Sequence, residues 1–250
     1  MRVSIITVAF NSAGTIVDTL RSVAAQTHPD IEHIVVDGAS GDDTLQRVRE
    51  HGAHVAHLLS EPDRGIYDAM NKGLRLATGD LVGFLNADDM FAHRDAVSAI
   101  AHAAEQDAAA IAVYGDIVYV RSARPDQVLR YWRSGEFAPS KLRFGWMPPH
   151  PTFYVRASKL AAVGLFNDRL RIAADYDFIL RCLAGPSTRA VYIRDVLVHM
   201  RAGGASNRSL LAMLRKSRED LWVLEHNGIG GVMSLLCKNA RKLHQFFDSP

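Results

Sequence analysis

The sequence has few cysteines and no long apolar run, and each absence narrows the class of protein. Its two cysteines, Cys182 and Cys237, stand far apart, which excludes a disulfide-rich scaffold and a CxxC zinc or redox motif. No stretch approaches the roughly 18 consecutive apolar residues of a membrane-spanning helix. We therefore expect a globular protein of a reducing, cytoplasmic compartment. We interpret the apolar run that begins at Val3 as a buried strand rather than a secretory signal.

Two common signatures of nucleotide binding through a glycine-rich loop are also missing. The first predicted strand is not followed by GxGxxG, and GxxxxGK[ST] occurs nowhere in the 250 residues. The chain is therefore neither a standard dinucleotide-dependent dehydrogenase nor a P-loop NTPase. We expect any bound nucleotide to be held by side chains and a metal ion.

Charge of one sign never forms a run of five residues, and no basic stretch is interleaved with aromatic residues. We therefore expect no nucleic-acid partner. Residues 1–100 nevertheless carry a net charge of −6 and residues 101–250 a net charge of +8, within the overall +2. The acidic part is typical of carboxylates gathered for a metal ion or for catalysis, and the basic part of an anionic partner. Scattered surface charge is the alternative interpretation.

Strand-length apolar runs alternate with helical spacing over the first 120 residues, which is typical of an α/β fold with a mostly parallel sheet flanked by helices. After residue 120 the alternation weakens, and we expect the second half to complete the sheet and to build a second lobe. The mixed, basic stretch 121–143 has no assigned element, and three prolines within 148–151 predict an irregular loop. Strands are predicted at 3–10, 31–36, 55–59 and 81–85, and helices at 15–26, 42–51, 66–77, 173–183, 209–225 and 232–247.

Polar residues follow three of the predicted strands. Asn11 follows the first, Asp37 ends the second, and the sequence Asn-Ala-Asp-Asp at 86–89 follows the fourth. Because ligands bind outside the carboxyl ends of parallel strands, we expect these residues to line one crevice. The adjacent carboxylates of Asp88 and Asp89 repel each other, and a hard divalent cation relieves that repulsion. A pair of helix N-cap residues is the alternative interpretation.

Taken in order, these motifs resemble the inverting, nucleotide-sugar-dependent glycosyltransferases of family 2, which have the GT-A fold. The resemblance implies a catalytic domain at residues 1–205, divided into a nucleotide-sugar half (1–120) and an acceptor half (121–205). Residues 206–250 would form a C-terminal helical tail. The stretches that carry the resemblance are SIITVAFN (4–11), VVDGAS (35–40), EPDRGIYDAMNKG (61–73), ATGD (77–80), GFLNADD (83–89), HPT (150–152) and AADYD (173–177).

The resemblance also implies which residues bind the donor. Asp37 would accept a hydrogen bond from uracil N3–H, as suits a carboxylate facing a ring donor. A turn role for Asp37 before Gly38, and a plain surface role for Arg64, are the alternatives. The implied nucleotide-sugar-binding residues are Thr7, Ala9, Phe10, Asn11, Asp37, Arg64, Gly65, Asp68, Asn71, Asn86, Ala87 and Asp88.

The resemblance to family 2 also implies that three acidic residues serve in catalysis and metal binding. Asp175 would be the catalytic base that takes the proton of the acceptor hydroxyl, although Ala174 stands where the family usually has an acidic residue. A helix N-terminal acid is the alternative. Asp88 would ligate Mg²⁺ or Mn²⁺, with Asp89 as an alternative or supporting ligand. Asn86 stands at the family's more common aspartate, which lowers the negative charge of the site.

Several further residues are left with two interpretations. His199 is either a late metal ligand or structural, and the glycine-containing segment 201–206 is either a lid over the diphosphate or an ordinary loop. Trp146 and His150 would line the sugar or acceptor pocket, whereas Tyr131 and Trp132 fit the core equally well. Asp177, two residues after Asp175, is expected to be structural or to face the acceptor.

The predicted reaction moves a single sugar from a UDP-sugar or other nucleotide-sugar to a glycan or lipid-linked acceptor in surface polysaccharide or glycolipid biosynthesis. The Gln-x-x-Arg-Trp motif of processive synthases is absent. A sugar-1-phosphate nucleotidyltransferase and a non-catalytic nucleotide-sugar-binding protein are the alternatives; the first would need a glycine-rich, lysine-bearing loop that 7–14 lacks. The terminal helices allow peripheral contact with the inner face of the membrane, with packing on the catalytic domain or a homodimer as alternatives. Their basic residues are Arg215, Lys216, Arg218, Lys238, Arg241 and Lys242.

Overall fold

A computed structural model of the chain describes residues 1–203 and 210–244 and contains a mixed α/β arrangement. The strands in these ranges are β1 (Val3–Ala9), β2 (Ile31–Asp37), β3 (Val55–Ser60), β4 (Leu81–Phe84), β5 (Met90–Phe91), β6 (Ala112–Arg121), β7 (Arg124–Trp132), β8 (Tyr154–Arg156) and β9 (Ala190–Arg201). The α-helices are α1 (Ile16–Ala24), α2 (Thr44–His51), α3 (Ile66–Leu76), α4 (Ala96–Gln106), α5 (Ala157–Val163), α6 (Ala174–Leu183), α7 (Leu210–His226) and α8 (Val232–His244). Short 3-10 turns occupy Pro139–Phe144 and His150–Thr152.

All nine of these strands belong to one sheet in the order β3-β2-β1-β4-β8-β6-β9-β5, with β7 paired to β6. The pairs β3-β2, β2-β1 and β1-β4 are parallel, as is β6-β9. Strand β8 runs antiparallel between β4 and β6, which therefore point the same way. The structure confirms the predicted fold class, a mostly parallel sheet flanked by helices.

Burial on both faces of the sheet explains the continuous apolar runs of β1 and β2. Successive residues of β1 point to opposite faces, so Ile6 packs with Met70 of α3 in one cluster, whereas Ile5 packs with Val97 of α4 in another. Helix α3 approaches β1 closely, because a Cβ added at Gly73 would lie 2.4 Å from Cγ2 of Ile6. These contacts fix the rim of the sheet at which β1, β2 and β4 end.

The second half of the chain completes this sheet more fully than its sequence pattern indicates. The stretch 121–143, to which no element was assigned, contains β7, and β6 crosses the expected boundary at residue 120. Helix α4 and the long strand β9 were not predicted either. In β9, exposed Arg194 and Asp195 lie where the register with β6 shifts, and this interruption conceals the apolar alternation. The loop before His150 is irregular, as its prolines predict.

Helices α7 and α8 pack against the preceding part of the chain. Lys238 of α8 is buried and donates to the buried carboxylate of Asp220 on α7 at 2.8 Å, and Lys216 reaches the same carboxylate at 3.1 Å. Gly145 touches α8 so closely that a Cβ there would lie 2.3 Å from Cβ of Lys238. Lys216 and Lys238, which were expected to contribute to a basic surface, are therefore both paired with the buried carboxylate of Asp220. Within the described part of the chain, no helix combines the length and apolar character required to span a bilayer.

Candidate active site

The loops that follow β1 and β2 are joined at the carboxyl edge of the sheet. The backbone N–H of Asn11 donates to Oγ of Ser40 at 2.8 Å, and the side-chain oxygen of Asn11 accepts from Gly41 N–H at 2.9 Å. Asn11 and Ala39 have φ angles of 49° and 58°, a left-handed conformation that costs a non-glycine residue about 1–2 kcal/mol. Such costs are typical of functional loops, where the surrounding contacts hold the backbone.

Asp37 is fully buried at the end of β2. Its carboxylate accepts hydrogen bonds from Ser40 N–H at 3.1 Å, from Ser40 Oγ at 2.5 Å and from Ser60 Oγ at 2.7 Å. The turn role left open for this residue is therefore present in the structure. The proposed contact with a uracil ring stays a prediction.

Phe10 is the exposed aromatic residue of this rim, with 64% of its surface accessible. Its ring lies beside Gly38, where an added Cβ would be 3.4 Å from the ring and 2.2 Å from a carboxylate oxygen of Asp63. An exposed ring beside a backbone that admits no side chain is a suitable platform for a planar base.

Three of the residues predicted to contact the nucleotide are held inside the protein. Thr7 is buried, and its hydroxyl lies 2.9 Å from Nε2 of His33. Ala9 and Ala87 are buried in one small apolar cluster. Any nucleotide contact of these residues would therefore come from their backbone.

The loop before α3 and the start of that helix bring four further predicted residues together. Arg64 donates to Asp68 at 3.0 Å and to Asp168 at 2.7 Å, and its guanidinium holds the pKa of Asp68 below the usual range. Gly65 begins the helix with a φ of 126°, a backbone conformation that favours glycine. The fourth residue, Asn71, is buried farther along α3.

Both polar groups of the Asn71 amide are used within the protein. Its Nδ2 donates to the carbonyl of Phe166 at 3.0 Å, and its Oδ1 accepts from Phe166 N–H at 2.8 Å. Asn71 therefore joins α3 to the segment before α6, and a nucleotide contact would require these two bonds to open.

The Asn86–Asp89 loop follows β4 and presents two carboxyl groups in different environments. Asp88 is half-buried, whereas Asp89 is 1% exposed. Burial, reinforced by the repulsion of Asp88, raises the pKa of Asp89 well above its ordinary value. Asp89 accepts from Asn86 Nδ2 and from Arg201 N–H, both at 3.3 Å. The side chain of Asp89 is therefore buried in the protein, and Asp88 is the more accessible acid of the loop.

Arg201 at the end of β9 holds this loop from the other side; the sequence analysis named it only as the first residue of the proposed lid 201–206. Its guanidinium donates to the carbonyl of Asp88 at 3.2 Å and to Asp18 of α1 at 2.5 Å. Burial, with an electrostatic contribution from His93, lowers the pKa of His199, two residues earlier in β9. Among residues 1–203 and 210–244, no three His, Cys, Asp or Glu side chains are grouped closely enough to hold a metal ion.

Asp175 lies in the first turn of α6 and is half-buried. Its Oδ1 accepts from Tyr176 N–H at 2.8 Å and lies 3.4 Å from the hydroxyl of Tyr67. Tyr67 donates at 2.7 Å to the carbonyl of Ile172, in the turn that leads into α6. Tyr67 belongs to the quoted motif 61–73, but its contact with the predicted base could not be inferred from spacing.

Phe166 packs between the strand before the Asn86–Asp89 loop and the helix that carries Asp175. Its ring centroid lies 5.2 Å from that of Phe84 in β4, 4.4 Å from that of Phe178 in α6 and 5.8 Å from that of Tyr67. One aromatic cluster therefore joins β4, α3 and α6.

The two aromatic residues expected to line the sugar or acceptor pocket, Trp146 and His150, are both buried. Trp146 is buried and donates to the carbonyl of Ser134 at 2.8 Å, so the expectation that it lines a pocket is wrong. His150 is buried against Phe84, with ring centroids 5.1 Å apart, and its Nε2 has no hydrogen-bond partner. Burial lowers the pKa of His150, and the charge of Asp175 opposes that effect.

The structure also bears on Asp177, on Tyr131 and Trp132, and leaves the proposed lid untested. Asp177 is buried and structural, because it accepts from Arg181 at 2.9 Å and from Asn227 at 3.0 Å. Tyr131 is buried and Trp132 is half-buried. Of the proposed lid at 201–206, residues 204–206 lie outside the described residues.

Comparison with known proteins agrees with this geometry. The family described as Glycosyl transferase family 2 matches residues 4–168. The chain belongs to glycosyl transferase family 2. A PGL/p-HBAD biosynthesis glycosyltransferase of Mycobacterium bovis is 33% identical over 208 residues, which are 82% of this chain and 78% of the relative. The family match over residues 4–168 includes the Asn86–Asp89 loop and ends before Asp175.

Solved structures of other glycosyltransferases share the fold of this family 2 member. TarS 1-349 of S. aureus in complex with UDP-GlcNAc has a TM-score of 0.71 at 19% identity, over 92% of this chain and 66% of that one. The mannosyltransferase PcManGT of Pyrobaculum calidifontis in complex with GDP-Man and Mn²⁺ has a TM-score of 0.66 at 23% identity. The match covers 100% of this chain and 76% of PcManGT. The chain spans 43% of a longer TarS chain.

Proposed function

We propose that this family 2 member is an inverting, divalent-metal-dependent glycosyltransferase. It moves one sugar from a UDP-sugar, or another nucleotide-sugar, to a glycan or lipid-linked acceptor. The observation that carries the proposal is the packing of Phe166 against both Phe84 of β4 and Tyr67. The hydroxyl of Tyr67 lies 3.4 Å from Asp175, so this packing joins the strand before the Asn86–Asp89 loop to the proposed base. The UDP-GlcNAc and GDP-Man complexes of the structural neighbours support a nucleotide-sugar donor.

The residues of the Asn86–Asp89 loop fit a hard cation that also takes phosphate oxygens. Oδ1 of Asn86 is buried and has no hydrogen-bond partner, and the carboxylate of Asp88 is half-buried beside it in the loop. Mg²⁺ and Mn²⁺ sites commonly combine one or two protein oxygens with substrate phosphates. Asn86 and Asp88 would hold the ion, while Asp89 supports the loop. When bound, the ion would stabilise negative charge on the departing diphosphate.

Asp175 supplies the base in this proposal. Tyr176 N–H donates to one of its carboxylate oxygens at 2.8 Å. The Tyr67 hydroxyl, which donates to Ile172, lies 3.4 Å from the same oxygen, and these contacts orient the carboxylate. The acceptor hydroxyl gives its proton to Asp175 as its oxygen bonds to C1 of the donor sugar. The bond from C1 to the diphosphate oxygen breaks on the opposite side, so the configuration at C1 inverts and the nucleoside diphosphate leaves.

The donor nucleotide would lie on the rim formed by the loops after β1 and β2. Phe10 is exposed there and can stack against a base. Arg64 lies at the other side of that rim on the loop before α3, and its guanidinium suits a phosphate. The division of 1–205 into a nucleotide-sugar half and an acceptor half remains part of this proposal.

Peripheral membrane contact is supported by an apolar, basic surface near α8. Phe144, Met233 and Leu236 are exposed large apolar residues, and Arg143 and Arg241 are exposed near them in sequence. A surface of this composition suits an anionic bilayer and a lipid-linked acceptor.

The donor can be chosen without knowing the acceptor. A thermal-shift panel of UDP-, GDP- and dTDP-sugars with Mn²⁺ identifies the donor, because a ligand that binds only the folded state raises its stability. Release of nucleoside diphosphate from that donor then measures turnover, with water or a panel of glycans as acceptor. Release of pyrophosphate instead would indicate a nucleotidyltransferase.

Two variants and a chelator test the mechanism. Asp175→Asn is expected to lower turnover by about 10²–10⁴-fold, the usual contribution of a general base, while UDP affinity is retained. Asp88→Asn and EDTA are each expected to abolish the Mn²⁺-dependent part of UDP binding, and Mn²⁺ should restore the EDTA-treated protein. Asp126→Asn, on an exposed acid of β7, is the matched control. Full turnover in Asp175→Asn or in EDTA would refute the mechanism.

A further inference from the structure

Glu219 of α7 is bound to the turn that leads into α6. Its Oε2 accepts from the backbone N–H of Ile172 at 2.8 Å and of Ala173 at 3.0 Å, and both of its oxygens lie 3.1 Å from the N–H of Arg171. A carboxylate that accepts several backbone N–H groups forms charge-assisted hydrogen bonds, which are roughly twice as strong as neutral ones. Glu219 therefore fixes three consecutive residues, 171–173, which precede Ala174 and Asp175.

The turn that Glu219 holds also contacts both parts of the candidate active site. The carbonyl of Ile172 accepts from Tyr67, whose hydroxyl also lies 3.4 Å from Asp175. The side chain of Arg171 donates to the carbonyl of Arg64 at 2.9 Å, on the loop predicted to bind the donor. The turn 171–173 thus joins the donor loop, α3 and the base.

Helix α7 is itself fixed, so Glu219 is a firm anchor. Its neighbour Asp220 pairs with Lys238 at 2.8 Å and with Lys216 at 3.1 Å, both on the inner side of the helices. The ammonium group of Lys238 also lies 3.2 Å from the ring centroid of Tyr176, in the first turn of α6. These contacts attach α7 and α8 to the helix that carries Asp175.

We infer that Glu219 is a positioning residue for the transfer reaction: it holds the turn 171–173 so that the carboxylate of Asp175 faces the acceptor hydroxyl. The inference rests on the proposed role of Asp175 as base. It places the C-terminal helices within the catalytic apparatus rather than in an appended tail. A displacement of about 1 Å at a reacting group can lower a rate by about 100-fold, which sets the expected effect of losing this anchor.

The test uses the full chain with Glu219→Ala, Glu219→Gln and the control Glu225→Gln, an exposed acid on the same helix. Kinetics with the donor chosen by thermal shift, UDP affinity by calorimetry and hydrogen exchange of residues 170–176 are measured for each. We expect Glu219→Ala to lower kcat by about 100-fold with little change in KM or UDP affinity, since Asp68 and Asp168 still hold Arg64. Exchange in the turn should rise.

The conservative variant and the control separate positioning from general stability. Glu219→Gln keeps an oxygen acceptor but loses the charge, so we expect about a 10-fold loss of kcat and a smaller rise in exchange. Unchanged kcat or unchanged exchange in Glu219→Ala would overturn the inference, as would an equal loss in Glu225→Gln. If Asp175→Asn retains full turnover, the proposed function fails and the inference fails with it. Full turnover in Glu219→Ala beside an inactive Asp175→Asn overturns the inference alone.

Discussion

Acidification from pH 7 to pH 5 is expected to destabilise the folded protein through His33 of β2. The ring is buried within the sheet, 2.9 Å from the Thr7 hydroxyl and 3.1 Å from Nε2 of His54. Burial, together with the charge of His54, lowers the pKa of His33 from 6.5 to about 3. The unfolded chain therefore gains a proton near pH 6.5, and the folded protein gains it only near pH 3. The contribution of the neutral His33 ring to the free energy of unfolding is fully present above pH 6.5. It is lost as the pH falls toward 3.

The size of this effect follows from the difference between the two pKa values. Each pH unit between them changes the free energy of unfolding by about 1.4 kcal/mol, so at pH 5 the loss through His33 is about 2 kcal/mol. Burial also lowers the pKa of His54 and His150, and these rings add to the total. The difference between the wild type and a His33 variant isolates the contribution of His33.

Urea unfolding followed by tryptophan fluorescence at pH 7, 6 and 5 measures this difference. His33→Gln is expected to be less stable at pH 7 but to lose about 2 kcal/mol less than the wild type on acidification. His51→Gln removes an exposed histidine at the end of α2 and should keep the wild-type pH dependence. Equal pH dependence in all three proteins would refute the reasoning, because it would mean that His33 is not held neutral by burial.

Two further predictions concern packing around α3. Asn71→Ala leaves the backbone N–H and carbonyl of Phe166 without partners, so we expect a loss of about 2–5 kcal/mol in urea unfolding; lost donor affinity at unchanged stability would instead indicate a nucleotide contact. Gly73→Ala forces a Cβ to 2.4 Å from Ile6 and should cost about 1–3 kcal/mol. Gly14→Ala, with open space around it, is the control, and equal stability of the two glycine variants would contradict the packing argument.

The elements that position the candidate site could be predicted where the apolar pattern is continuous. The runs at β1, β2 and β4 are buried on both faces, so their ends, and with them Asn11, Asp37 and the Asn86–Asp89 loop, were placed within about one residue. Helix α6 was found equally well, because its acidic first turn precedes a run of buried apolar residues. The rim of the sheet follows directly from these elements.

The rest depends on contacts between residues far apart in the chain, which no local pattern records. Arg201 contacts the Asn86–Asp89 loop across more than a hundred residues, and Glu219 contacts the turn before α6 across almost fifty. The basic residues of α7 and α8 predicted an exposed surface, but Lys238 has a buried partner in Asp220. Charge read along a helix does not indicate which charges are neutralised inside the protein.

The same limit applies to the two acids of the Asn86–Asp89 loop. Their adjacency correctly indicates repulsion, and the sequence offers a divalent cation as its relief. The structure shows that the two acids lie in different environments, since burial and the charge of Asp88 raise the pKa of Asp89 while Asp88 is only half-buried. Adjacency in the sequence records the repulsion between the two acids but not which of them is buried.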